Sequence, residues 1–297
     1  MSRKANRYVN MMGWLFVTPY ILNGLVLFLI PLLWAFWLAG TDWNLMSLSW
    51  HWVGFQNFFS ALQDINVQAA FINGIKYLVV IIPLIVVFAL AIASLLHSLP
   101  SALKGFFSVA YFVPYLTSGV ATSVFVRYFF SYSSPLNTWI RETFGVQISW
   151  FTEPEPAFWI IVAIIVWKVV GYYSLFLFAA MESVPKEIWE ASALDGATGF
   201  RQFRKITFPM IFPSVQSVIM LSTGLVYGIF SEPYLLTGGG PQRATLSWHL
   251  LLYNTSFVSF KSGYGATIAI MLAICIFITL RIIASTTQKY VEGAGRE

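Results

Sequence analysis

The sequence predicts an all-α integral membrane protein with six transmembrane helices and both termini in the cytoplasm. Three observations carry this. First, 58% of the 297 residues are hydrophobic and only 10% are charged, with a mean hydropathy of +0.73; soluble domains carry about 45–50% apolar and about 25% charged residues. Second, the 17 basic and 12 acidic residues leave long uncharged runs between them. Third, the basic residues gather on one side of those runs. A chain with 27 Phe and so few charges has no means of covering a water-exposed surface. This excludes a soluble enzyme, a disordered regulator and a nucleic-acid-binding domain, despite a pI near 9.3. The lone Cys275 excludes a disulfide framework, a thiolate metal site and a paired redox motif.

A helix needs about 20 apolar residues to cross the hydrocarbon core, and the uncharged runs meet that length in order. After an N-terminal tail, 1–12, the stretch free of charge between Arg7 and Asp42 supplies a first span at about 13–39. Spans at 77–99 and 106–128 lie between Lys76 and Lys104 and between Lys104 and Arg127. The fourth, 158–181, is interrupted only by Lys168, and the fifth, 207–231, lies between Lys205 and Glu232. The sixth, 264–284, precedes a C-terminal tail, 285–297. Residues 13–284 read as a single transmembrane domain.

Six crossings put both termini on one side, and that side holds eleven of the 17 basic residues: Arg3, Lys4, Arg7, Lys104, Lys186, Arg201, Arg204, Lys205, Arg281, Lys289 and Arg296. The opposite loops hold Arg141, Arg243 and Lys261. Basic residues in short loops mark the cytoplasmic face, so both tails are cytoplasmic and the net charge of +5 is a topology signal. The first apolar run is too long for a signal peptide and has no small-residue cleavage site after it. Trp34, Trp37, Trp43, Trp50 and Trp52 cluster around its outer end, as an interfacial aromatic belt does.

Between the fourth and fifth spans, residues 182–205 hold eight of the charged residues. Pro185 suits the first turn of a helix, and Glu187 and Glu190 lie near its positive end. Gly196 and Gly199 break the helix before a basic segment, Arg201 to Lys205. Two short helices around a glycine turn are expected. Small side chains at Ala191, Ser192, Ala193 and Ala197 leave room for a partner's surface, although a plain polar connector is the ordinary alternative.

This segment resembles the EAA loop of permease subunits in binding-protein-dependent ATP-binding-cassette (ABC) importers. That pattern is Glu-Ala-Ala, three residues, Gly, nine residues, then Ile-x-Leu-Pro. Here Glu190, Ala191, Ser192, Gly196, Ile206, Phe208 and Pro209 stand at the same spacing, with Ser192 for Ala and Phe208 for Leu. Asp195-Gly196-Ala197 resembles the sugar-importer branch. Leu236-Thr237-Gly238-Gly239-Gly240-Pro241, Thr245 and Tyr264-Gly265-Ala266 resemble the MalF/UgpA-like partner of the heteromeric pair, and Phe112-Val113-Pro114 and Trp167-Lys168 also fit.

The resemblance implies a type I ABC importer permease fold with a cytoplasmic EAA coupling helix, in a bacterial or archaeal cytoplasmic (inner) membrane. It implies a second, MalG-like permease subunit, two copies of an ABC ATPase, an extracytoplasmic solute-binding protein and a sugar substrate. ATP and Mg belong to the partner ATPase, and no cofactor is expected on this chain, which lacks the phosphate-loop spacing. Glu190, Ala191, Ser192, Asp195, Gly196, Ala197, Ile206 and Pro209 are the expected ATPase-coupling residues.

For the substrate pathway, Lys168 is the one ionisable residue well inside a span, where such groups face a pathway or a partner. Lys168 and Tyr172 share a helical face, as do Ser222, Leu225 and Ile229 of the fifth span. The resemblance places the pocket between these two helices, so Lys168, Tyr172, Ser222, Leu225, Val226 and Ile229 are its candidate lining. Snorkelling of Lys168, or pairing with another subunit, is the alternative. Gly224 and Gly228 form a small-residue pair suited to close helix packing. Glu232 with Pro233 reads as a cap or an outer gate, and Lys76 and Arg127 as snorkelling residues. His51, His97 and His249 show no metal-ligand spacing. An ion-driven secondary transporter would need paired intramembrane acids, and a membrane enzyme convergent catalytic groups; the sequence has neither pattern. Within the family, neutral oligosaccharide, acidic oligosaccharide and glycerol phosphate remain open.

Overall fold

The computed structural model describes the backbone of residues 3–294 and the side chains of residues 12–287. The expected tail residues 1, 2 and 295–297, with Arg296, lie outside the described residues, as do the side chains of Arg3, Lys4, Arg7 and Lys289. Among the described residues the secondary structure is helical throughout, apart from one isolated bridge between Thr41 and Trp52. Among the described residues five helices are long and apolar enough to cross a membrane, and a bent pair makes a sixth if counted as one span.

The chain divides into two units. The first comprises Met1–Asp64 and Leu252–Met271. Here α1 (Arg3–Gly24) continues through a π turn, Leu25–Leu29, into α2 (Ile30–Ala39), which Pro31 can enter because its missing N–H falls in the first turn. The expected tryptophan cluster forms: Trp34 stacks on Trp37 at 4.8 Å, and Trp37 meets Trp50 edge-on at 4.8 Å. A short α3 (Gln56–Gln63) follows, from which Asn57 donates to the carbonyls of Ala39 and Thr41. Ala39, Ala266 and Ile270 form the core with Leu38 and Phe58 against it. The Tyr264 hydroxyl donates to Asp64 at 2.9 Å, so two residues of the Tyr264-Gly265-Ala266 motif have packing roles.

The second unit comprises Ile65–Leu251 and Leu272–Glu297. Its centre is α4 (Ile65–Ser98), which presents Ile81, Ile85, Ala89, Ala93 and Leu96 as a buried seam at three- and four-residue spacing. α4 packs along its length against the helix Pro154–Glu182. The third uncharged run is not one straight helix. α5 (Ser101–Phe112) tightens into a 3₁₀ turn, Val113–Leu116, and α6 (Gly119–Phe129) restarts at 88° to it. Pro114 has no N–H to continue the α-helical ladder, which places the break.

After α7 (Pro135–Phe144), α8 (Pro154–Glu182) spans without interruption. α5 and the 3₁₀ turn lie so close against α8 that Gly171 faces the Tyr111 carbonyl, where any Cβ would overlap it. The connector helices α9 (Lys186–Leu194) and α10 (Gly199–Gln202) lead through a π turn, Phe203–Thr207, into α11 (Phe208–Tyr227). α11 packs on α4 and α8, and α12 (Ser231–Leu236) packs on α6. α13 (Trp248–Tyr253) and α14 (Ser262–Ala294) complete the chain.

Candidate substrate cleft and connector

A cleft of about 180 Å³ lies between the middle of α8 and the end of α11. It is lined by Ile165, Lys168 and Val169 on one side and by Leu225, Gly228, Ile229, Phe230, Ser231 and Glu232 on the other. α11 ends at Gly228, and the chain restarts as α12 with Glu232 in its first turn, where exposed N–H groups favour a carboxylate. Lys168 Nζ donates to Glu232 Oε1 at 2.8 Å. The carboxylate side chain is 6% exposed and the lysine side chain 20%. Gly119, the first residue of α6, lies beside both Lys168 Nζ and Ser231. The pair therefore sits where three helix ends meet.

Of the candidate pathway residues, the structure brings together Lys168, Leu225 and Ile229. Tyr172 lies off the cleft, stacked on Tyr115 at 4.6 Å and edge-on to Tyr173 at 5.1 Å. Ser222 is fully buried with its hydroxyl on the Ile219 carbonyl, and Val226 is buried in packing. The Lys168 ammonium is held by Glu232 of the same chain. Glu232 correspondingly does more than cap a helix. Arg127 also has a defined contact, donating to the Leu235 carbonyl at 3.1 Å. Gly224 has no atom within 4 Å of where a Cβ would stand, so the Gly224–Gly228 pair is not a packing seam within the described residues.

The loop after α12 is knit by short polar contacts. Thr245 is fully buried; its hydroxyl lies 2.7 Å from that of Thr237 and donates to the Gly240 carbonyl at 2.6 Å. Asn73 of α4 donates to the carbonyls of Arg243 and Leu246. The glycine-rich motif thus anchors α12, and with it Glu232, to α4. A larger groove of about 550 Å³, bordered by Phe71, Pro83 and Ile278, carries no charged side chain. Its walls match hydrocarbon rather than a polar solute.

The connector has two faces. Pro185 stands at the cap before α9, with φ −54° and ψ 137°, rather than inside its first turn. At 3.6 residues per turn, Glu187, Glu190, Ala191 and Leu194 fall on one face, and all four are exposed, Leu194 by 90%. Trp189 and Ser192 turn the other way. Ser192 is buried and donates to the Trp189 carbonyl at 2.9 Å, while Gln202 of α10 donates to Ser192 Oγ at 2.6 Å and to the same carbonyl at 3.1 Å. Asp195 is exposed at the end of α9, and Gly196 follows at φ +75°, a left-handed conformation that glycine adopts without cost. Ala197 and Ile206 are half-buried, and Pro209 lies in the first turn of α11.

Four contacts escape sequence reasoning: the Lys168–Glu232 pair, the Glu182 contacts with His97 and with Lys104, and the Tyr264–Asp64 bond. The first left a signal, since an ion inside a span demands a partner and Glu232 directly follows the fifth span.

These features define a multi-helical membrane protein with a buried ion pair at helix breaks and an exposed helical connector. Residues 70–292 match the family described as "Binding-protein-dependent transport system inner membrane component", and the chain belongs to that family. It is 28% identical over 295 residues to the probable starch degradation products transport system permease protein AmyD of Thermoanaerobacterium thermosulfurigenes, covering 97% of this chain and 98% of that one. It is 30% identical over 290 residues to the lactose transport system permease protein LacF of Rhizobium radiobacter, covering 95% and 97%. A chain of a bacterial ABC transporter involved in the import of the acidic polysaccharide alginate superposes with a TM-score of 0.82 at 19% identity, over 96% of this chain and 98% of that one. The fold is that of an ABC importer permease.

Proposed function

We propose that this chain is the MalF/UgpA-like transmembrane subunit of an ATP-driven sugar importer. With a second permease it forms the pathway for a saccharide delivered by an extracytoplasmic binding protein. It lies in a bacterial or archaeal cytoplasmic membrane with both tails inside, and ATP is hydrolysed on two copies of a separate ATPase. Its relatives named for lactose and starch products support the sugar reading, and the family name supports the binding protein.

The observation that carries the coupling role is the exposed face of α9. On a connector that carries the EAA spacing, the exposed face of Glu187, Glu190, Ala191 and Leu194 supports a surface on which another protein docks. Glu190 supplies a charged contact and Ala191 room for close approach. The left-handed turn at Gly196 sets the angle at which α10, Ile206 and Pro209 continue into α11.

In the pathway, Lys168 and Glu232 bear the polar contacts, with Leu225 and Ile229 as apolar walls. Because the ammonium is already matched by a carboxylate, the cleft favours an uncharged saccharide over an acidic one or glycerol phosphate. The pair offers a donor and an acceptor to hydroxyl groups, and Tyr172, Ser222 and Val226 shape the helices behind it. The test is purification of the tagged chain from cells expressing its candidate partners. The expected result is a complex containing a second permease and the ATPase, with ATP turnover raised by saccharide-loaded binding protein. A chain that purifies alone, with no effect of the binding protein, would contradict the proposal.

A further inference from the structure

We propose that the stack of His97 on Trp189 is the contact through which movement of α9 reaches α4, and that Glu182 is the positioning residue that holds it. This rests on the coupling role assigned to α9 above. The His97 ring, in the last turn of α4, lies on the Trp189 ring with centroids 4.9 Å apart and planes 27° from parallel. At the ring edge, His97 Nδ1 is 2.9 Å from Glu182 Oε1, at the end of α8. Lys104 Nζ, in α5, donates to the same oxygen at 2.8 Å and lies over the Phe178 ring. One carboxylate thus ties the ends of α4 and α8 to the start of α5, and the ring it orients bears on α9.

Trp189 is also where the path toward α11 begins. Its carbonyl accepts from Ser192 Oγ and from Gln202 Nε2. Ser192, the departure from the family's alanine, supplies the hydroxyl that lets Gln202 bind both. A helix joined to its neighbours only by the segments at Ser183–Pro185 and Gly196–Thr198 would swivel under load. With its inner face fixed at Trp189, it moves the ends of α4, α8 and α11 together, and the seam Ile81 to Leu96 carries the motion along α4. Aromatic stacking is orientation-dependent, so a side chain of similar bulk without a ring fills the space but transmits less.

The test uses the full complex with its second permease and ATPase, reconstituted in lipid, and follows hydrogen–deuterium exchange with and without MgATP and vanadate. In the wild type, nucleotide should change exchange in both α9 and residues 90–98 of α4. In His97→Leu and Trp189→Leu the change in α9 should persist and the change in α4 should be lost. His97→Phe, which keeps a ring, should restore it, and Glu182→Gln should reduce it. A merely structural role would alter basal exchange without removing the nucleotide-dependent difference. An α4 response of wild-type size in both leucine variants would overturn the proposal while leaving the coupling role of α9 intact. Absence of any nucleotide response in wild-type α9 would instead overturn the coupling role itself.

Discussion

Lys168 and Glu232, 64 residues apart in the chain, form an ion pair at 2.8 Å between α8 and the first turn of α12. Removing two charges from water is expensive, and the pair persists because each neutralises the other beside a helix N-terminus. Glu232→Gln leaves a buried ammonium without its counter-charge, and Lys168→Met a buried carboxylate. Each single variant should lose about 3–5 kcal/mol of stability, and the double variant much less than the sum. Thermal unfolding of the purified protein in detergent, read as a double-mutant cycle, checks this; additive losses would show that the two do not interact.

Close approach of α8 to the end of α5 depends on the missing side chain at Gly171, which faces the Tyr111 carbonyl. Gly171→Ala should force the helices apart, disturb the Tyr115–Tyr172 stack and cost about 1–3 kcal/mol, the usual range for overpacking. Unfolding midpoints for Gly171→Ala and the remote, open Gly224→Ala give the comparison, and only the first should fall.

The proposed coupling role makes transport depend on the shape and face of the connector. Gly196→Val places a β-branched residue at φ +75°, costing about 1–2 kcal/mol locally, and should lower uptake while the chain still inserts. Gly196→Asn, which tolerates that region better, should retain more. Glu190→Ala should lower transport-coupled ATP hydrolysis. Uptake and membrane content measured together distinguish these outcomes from failed insertion, and wild-type uptake in Gly196→Val and Glu190→Ala would contradict the assignment.

The loop that anchors α12 depends on Thr245. Thr245→Val keeps the volume but strands the Gly240 carbonyl, while the Thr237 hydroxyl keeps its bond to the Pro233 carbonyl, so about 1–3 kcal/mol should be lost. Thr245→Ser should keep most of it. Thermal unfolding of the two variants decides between a hydrogen-bonding role and simple packing.

How much of this was legible in the sequence depends on the range of the interaction. Charge spacing located the apolar runs, and helical periodicity put Leu225 and Ile229 on one face, where both line the cleft. The Glu190 to Pro209 spacing located the connector. Periodicity also grouped Ser222 with them, but a hydroxyl in a helix has a nearby backbone carbonyl to bond, and Ser222 takes Ile219 instead of the cleft. Charge spacing read the third run as one span, 106–128, and did not reveal the 88° turn after Pro114. The close packing of that segment against Gly171 is a contact with another helix. Lys168 with Glu232, and His97 with Glu182 and Trp189, are contacts between distant segments, and no local pattern encodes which distant partner a side chain meets.

The central claim is that this chain transports only as part of an ATP-driven assembly. The most direct measurement is uptake of a labelled neutral oligosaccharide into proteoliposomes, with ATPase, second permease and binding protein omitted in turn. Uptake should require all three and internal MgATP, and should be indifferent to dissipation of ion gradients. Uptake by this chain alone, driven by an ion gradient, would contradict the account.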